Sequence, residues 1–294
     1  MSASNRAVSL SSLCVFLLTI STLATPSTSA IDSFVFGGCS QLKYMPGSPY
    51  VNNLNSILTS LVNSAMYTSY NNFTTIGSDP QDTVYGLFQC RGDLQGNDCA
   101  RCVAGAVTQL GTLCIDSCGG ALQLDGCLVK YDNTTFLGVE DKTVVVKKCG
   151  PPIGYDSNTL TGRDAVLASL GAGDGGPYKT YRAGTSGDLQ GVAQCVGDLS
   201  PSECTDCLGD AIGRLKTECG PAAWGDMFLA KCYVRYSEGG VHSHSGKDNG
   251  DDNNNDDEVE KTLAIIIGLI AAVALIIVFI SFLNKLCESG KGGK

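Results

Sequence analysis

Gln89-Cys90-Arg91-Gly92-Asp93-Leu94 opens a run in which Cys90, Cys99, Cys102, Cys114 and Cys127 stand at the spacing C-x8-C-x2-C-x11-C-x12-C. Gln194-Cys195-Val196-Gly197-Asp198-Leu199 opens a second run, and Cys195, Cys204, Cys207, Cys219 and Cys232 repeat those four gaps without insertion or deletion. The side chains around the cysteines repeat as well: Cys127-Leu128-Val129-Lys130-Tyr131 matches Cys232-Tyr233-Val234-Arg235-Tyr236. Each ladder has one more cysteine upstream, Cys39 for the first and Cys149 for the second. A period of 105 residues is too long for a solenoid unit and fits a duplicated domain.

Fifteen cysteines in 294 residues point to an oxidising compartment. The N-terminus agrees. Arg6 precedes an apolar stretch from Leu13 to Ile20, and Thr28-Ser29-Ala30 offers the small residues a signal peptidase reads. Residues 1–30 therefore read as a signal peptide that carries Cys14 away. Near the other end, Thr262 to Leu283 is 22 residues without a charge, about 33 Å as a helix and enough to span a bilayer. Lys285, Lys291 and Lys294 follow it, whereas Asp248 to Glu260 carries seven acidic residues and no basic one. The positive-inside rule then places the ladders outside the cell and residues 284–294 in the cytosol, as in a single-pass type I membrane protein. Gly268, Ala271 and Ala272 offer a small-residue face for helix association, or simply belong to a generic span.

The net charge of −9 is divided along the chain, and the stalk, 241–261, has an Asn/Asp/Gly composition that reads as a solvated spacer rather than an EF-hand. No basic stripe suggests nucleic acid. The remaining chain divides into modules at 31–142 and 143–240, both read as α+β. Ser48-Pro49 starts a helix bearing Leu54, Ile57, Leu58, Leu61, Val62 and Ala65 at helical spacing. A second helix is expected over 97–110. Strand-like stretches close this run, Ala121 to Tyr131 and then Thr143-Val144-Val145-Val146. The second module repeats the plan with helices over 161–170 and 202–216, a Gly-rich loop over 171–176 and a late strand from Met227 to Tyr236. Modules of about 100 residues have small cores that disulfides commonly staple.

One C-x2-C pair per module is half of a four-cysteine zinc site, and no βαβ pattern surrounds it as a thioredoxin-like site requires. The cysteines read as structural disulfides, with no metal and no cofactor. An enzyme is hard to assemble: His242 and His244 are the only histidines and both lie in the stalk, and no nucleophile elbow, P-loop or kinase signature appears. Asn72-Phe73-Thr74 and Asn133-Thr134-Thr135 are N-glycosylation acceptors.

The ladder resembles the plant ginkbilobin-like, or stress-antifungal, domain. Cys39-Ser40-Gln41, Val84-Tyr85-Gly86-Leu87, Gly191-Val192-Ala193-Gln194-Cys195 and Ala223-Trp224-Gly225 fit that family's style. Two such domains, an acidic stalk, one apolar span and a tail too short for a kinase resemble the plasmodesmata-located proteins. The resemblance implies two disulfide-stapled modules, each an antiparallel sheet packed with two helices. It implies the pairs Cys39–Cys114, Cys90–Cys99 and Cys102–Cys127, and then Cys149–Cys219, Cys195–Cys204 and Cys207–Cys232. Cys118 is left over as a buried free thiol, an intermolecular link or a redox-sensitive site. Cys287, just inside the membrane, is a place for S-acylation. The polar trio with which a mannose-binding relative holds sugar falls here on Ser40, Ala121 and Asp132, and on Gly150, Asp226 and Ser237, without the arginine, so that mode of sugar binding is not expected. The resemblance further implies a plasma-membrane protein at plasmodesmata that restricts cell-to-cell movement by promoting callose deposition. Its implied partners are related proteins in oligomers, a cell-wall component or receptor-like kinase, and viral movement proteins. The alternative is a wall-carbohydrate lectin or a co-receptor for a receptor-like kinase.

Overall fold

The computed structural model describes residues 30–152, 157–172 and 177–238. The expected signal peptide, stalk, membrane span, cytoplasmic tail and Cys287 lie outside these residues, as do His242 and His244. Among the described residues no helix is long and apolar enough to cross a membrane.

In chain order the first module comprises β1 (Phe34–Cys39), α1 (Pro49–Ser64), β2 (Tyr70–Thr75), β3 (Val84–Cys90), α2 (Asn97–Leu113), β4 (Gly119–Leu124) and β5 (Cys127–Asp132). The second comprises β6 (Val144–Cys149), α3 (Ser157–Ala172), β7 (Tyr181–Ser186), β8 (Leu189–Cys195), α4 (Pro201–Glu218), β9 (Trp224–Leu229) and β10 (Cys232–Glu238). The sheets are ordered β1-β4-β5-β3-β2 and β6-β9-β10-β8-β7, antiparallel throughout. The duplication extends to irregularities, since the register slips between Phe34 and Phe36 in β1 and between Val144 and Val146 in β6.

Local chemistry explains the helix starts. Ser48 holds an extended backbone and Pro49 takes the first helical position, where its missing N–H costs nothing. At α4 a capping box forms: the Glu203 N–H donates to Ser200 Oγ at 3.3 Å, and the Ser200 N–H donates to Glu203 Oε2 at 2.8 Å. This box starts the helix at Pro201, one residue before the expected 202. Leu54, Ile57 and Leu61 of α1 and Val103, Ala106 and Leu110 of α2 bury against Phe88, Leu122, Leu124 and Val129 of the sheet. Each fully buried Leu or Ile contributes about 1.5–3 kcal/mol. In β5, Cys127, Val129 and Tyr131 face this core, so Leu128, Lys130 and Asp132 point to the other face.

The sequence reading needs three corrections here. Ala121 to Tyr131 is a hairpin turning at Asp125-Gly126, and Met227 to Tyr236 is a hairpin turning at Ala230-Lys231. Thr143–Val146 does not close the first module: Val144 and Val146 pair with Leu229 and Phe228, so the run opens the second sheet. Strands β1, β2, β3, β7 and β8 stand where the sequence pattern marks no strand. In β3 every residue but Tyr85 is buried, because helices cover one face and the second module the other, and the period-two alternation that marks a strand disappears.

Candidate functional site at the module junction

Six disulfides frame the modules. Cys39–Cys114 ties the end of β1 to the end of α2, Cys90–Cys99 ties β3 to the start of α2, and Cys102–Cys127 ties α2 to β5. Cys149–Cys219, Cys195–Cys204 and Cys207–Cys232 make the same three ties in the second module. Cα–Cα separations are 5.3, 5.6 and 6.0 Å in the first module and 5.3, 5.7 and 6.2 Å in the second, ordinary spans for disulfides. Cys118 is a buried free thiol. Burial raises its pKa, the nearby Asp132 adds to this, and Lys43 opposes it, so the group stays a thiol rather than the reactive thiolate. Asn72 is exposed on β2, an edge strand, and Asn133 lies just past β5 with its backbone N–H donating to Cys118 O at 3.1 Å.

The faces of the two sheets that carry no helix meet, and the duplicated phrases of the sequence lie where they touch. Gln89 Oε1 accepts from the Gly197 N–H at 2.9 Å, and Gln194 Nε2 donates to Cys90 O at 2.9 Å. A Cβ on Gly92 would stand 2.3 Å from Tyr181, and one on Gly197 would stand 2.7 Å from Tyr70. Each module thus presses a tyrosine onto the other's glycine. Leu87, Phe136 and Val196 make a separate apolar cluster at this junction, with Tyr70, Tyr85, Leu128 and Leu137 against it.

A buried charge chain crosses the junction. Arg235 grips Asp226 with two hydrogen bonds, 2.8 and 3.1 Å, and also donates to Asp125 of the first module. Asp125, whose side chain is 0% exposed, accepts from Arg91 as well, and Arg91 in turn holds Asp93 at 2.6 and 3.1 Å. Burial works against the Arg235 charge, but Asp226 and Asp125 more than offset it and raise its pKa. Beside this chain the buried Lys231 ammonium donates to Asp198 and, at 2.9 Å, to Phe136 O, while the Gly138 N–H donates to Asp198 at 2.9 Å. The connecting segment is thereby tied to the second module.

Of the two sugar-trio sets, Asp226 is consumed by Arg235, Asp132 accepts from Thr134, and Ala121 brings no polar group. Ser40 and Asp132 both lie against Gly119, where an added Cβ would meet Asp132 Oδ2 at 2.5 Å and Ser40 Cβ at 3.2 Å. The structure forms a cavity of about 240 Å³ between the modules. Phe36, Leu128 and Ala121 of the first module and Val145, Phe228 and Tyr233 of the second line it, together with Lys130 and Asp141. Burial pushes the Lys130 ammonium below the usual lysine range and the charge of Lys231 adds to this, with Asp141, Asp132 and Asp198 opposing. For Asp141, burial acts upward, but hydrogen bonds from Thr143 and the charges of Lys130 and Lys231 prevail and hold it below the usual carboxylate range. Such a carboxylate is a weak base, and its hydrogen-bond partner on the wall is Thr143. Among the described residues no group of three or more His, Cys, Asp or Glu could hold a metal ion. A largely apolar cavity with an ammonium and a carboxylate on its wall can receive a small molecule.

Sequence reasoning missed Arg91, Asp125, Asp226 and Arg235 as a unit. The signal available was the repetition of Gln89-Cys90 with Gly92 and of Gln194-Cys195 with Gly197, which a purely internal role in each module does not require.

The sequence profile of the Salt stress response/antifungal family matches residues 38–134 and 151–239. Plasmodesmata-located protein 6 of Arabidopsis thaliana is 63% identical over 284 residues, covering 95% of this chain and 98% of the relative. Plasmodesmata-located protein 7 of the same plant is 59% identical over 281 residues, covering 95% and 92%. The chain belongs to the plasmodesmata-located protein family. The solved tandem DUF26 ectodomain of the Arabidopsis thaliana cysteine-rich receptor-like protein PDLP5 superposes with a TM-score of 0.66 at 52% identity, covering 70% of this chain and 100% of that one. The ectodomain of PDLP8 superposes with a TM-score of 0.67 at 40% identity, covering 71% and 100%. These plasmodesmata-located relatives are named for a place and a receptor-like ectodomain rather than for a reaction, and a plasmodesmal role is the coarse function they support.

Proposed function

We propose that this protein is a non-catalytic regulator of traffic through plasmodesmata, with its outer tandem as the recognition body and its apolar C-terminal run as the membrane anchor. One observation carries the reading: two cysteine-framed modules are joined by a buried charge chain into a single compact unit, which presents a shared cavity. A recognition body held on a membrane acts by bringing other components to the channel, and promotion of callose deposition at its neck is the output. Viral movement proteins, wall components and related family members are partners that this reading accommodates. The second reading, a co-receptor for a receptor-like kinase, draws support from the cavity. A lectin of the mannose-binding type draws none, because Asp226 is already held by Arg235.

Location is the test. A fluorescent fusion of the full chain is expected in puncta at cell junctions, and deletion of residues 262–294 is expected to release it to the apoplast. Residues 250–294 fused to a secreted fluorescent reporter test whether the anchor is sufficient. Puncta that persist after the deletion would show that the outer tandem holds the location and would remove the anchor from this account.

A further inference from the structure

We propose that the cavity between the modules binds a small carboxylate with an apolar body, and that Lys130 is the residue that anchors its charge. The duplication supplies the argument. In β10, Arg235 stands across the ladder from Asp226 of β9, and the two form a bidentate pair. The matching position in β5 is Lys130, which stands across the ladder from Ala121 of β4. The cation is kept in the first module and its carboxylate is replaced by a methyl group. Lys130 and Ala121 both line the cavity.

The other cations on the wall are already matched. Arg91 is held by Asp93 and Asp125, and Lys231 by Asp198 and Phe136 O. Lys130 makes no hydrogen bond or ion pair among the described residues; its ammonium lies 4.5 Å from the centre of the Phe136 ring. Asp141 shares the wall, but its carboxylate accepts the Thr143 N–H at 3.0 Å and forms no ion pair with Lys130. A half-buried ammonium beside Phe36, Leu128, Val145 and Phe228 is costly without a counter-charge in contact, since Asp141, Asp132 and Asp198 act on Lys130 without forming an ion pair with it, and the carboxylate of a ligand restores the pair that Asp226 provides in the other module. One unmatched lysine, with no free guanidinium fork, suits a monoanion better than a phosphate. At about 240 Å³ the cavity lies just below the range for drug-sized ligands, so the ligand is small, on the scale of one or two rings. Both modules build the walls, so neither would hold the ligand alone.

The proposal rests on reading the outer tandem as a recognition body, yet its test is independent of cell-to-cell movement. Residues 31–245 correspond to the ectodomains that stand as crystallised units in the two relatives. This purified fragment is titrated calorimetrically with benzoate and 2-naphthoate, with the neutral benzamide and 2-naphthamide, and with benzylamine. At least one carboxylate is expected to bind about tenfold or more tightly than its amide, consistent with a hydrogen bond to a charged group. Lys130→Met should abolish that preference and Lys130→Arg should retain it. Ala121→Asp, which rebuilds the internal pair, should also abolish it. Lys130→Met removes an unmatched buried charge, so its thermal midpoint should not fall, and loss of binding is then separable from loss of fold. Equal binding of acids and amides, tightest binding of benzylamine, survival of the preference in Lys130→Met, or no binding of any probe at millimolar concentration would each overturn the proposal. Failure here leaves the plasmodesmal reading standing, whereas junction localisation can fail with this binding intact.

Discussion

Arg235→Met is expected to destabilise the outer tandem by about 3–5 kcal/mol, measured by urea or thermal unfolding of residues 31–245. The substitution keeps most of the apolar stem and removes only the charge and its fork. Asp226 then loses both hydrogen bonds, and Asp125, whose side chain is 0% exposed, loses one of the two guanidiniums it accepts from. The chain of three carboxylates and two guanidiniums becomes three and one. Removing one partner from a buried pair costs far more than the pair contributes, because the other charge stays behind without solvent. The double variant Arg235→Met with Asp226→Leu should therefore recover part of the loss. Equal stability of Arg235→Met and the wild type would mean that the two modules do not depend on this chain for their union.

Replacing Cys102 and Cys127 together with Ala is the second large effect. The bridge spans 25 residues of sequence, and loop-closure entropy for that length gives about 3.5 kcal/mol. Both cysteines are fully buried between α2 and β5, so two core contacts are lost as well. A core built on two helices and five short strands has little to spare. Unfolding curves of the secreted domain, or its failure to leave the secretory pathway, measure the loss. Replacing Cys118 with Ser should cost less, since no bridge is broken. A double variant as stable as the wild type would mean that the apolar core alone sustains the module.

Much of this architecture was legible in the chain. The ladder spacing announced the duplication, and α1 could be read from Ser48-Pro49 and the spacing of Leu54, Ile57 and Leu61, because a helix with one buried face keeps its period. The strands at the junction were not legible for the converse reason. In β3, Phe88 faces the helices while Leu87 and Gln89 face the other module, so neither face was left polar. The Asp125-Gly126 turn is hidden within a strand-like run because its flanks are continuous in hydrophobicity, although Asp-Gly is a strong hairpin signal. The charge chain was beyond reach, since Arg91 and Arg235 come together only when two modules fold and dock. The repeat nevertheless held a clue in its differences. Asp226 against Ala121 and Arg235 against Lys130 are departures at paired positions, and they separate the module whose cation is paired across its own ladder from the module whose cation is not.

The central claim is that this family member restricts traffic through plasmodesmata by recognition rather than by catalysis. The most direct measurement is the spread of a cytosolic fluorescent tracer between neighbouring cells when the level of the protein is raised, with callose stained at the same junctions. The account predicts less spread, more callose, and no loss of either effect when Asp132 or Asp141 is replaced by Asn. Unchanged tracer spread would contradict it. So would the abolition of the effect by a single amide replacement of an exposed Asp or Glu in a protein that is still secreted, thermally stable and located at junctions, for that result would require a chemical step.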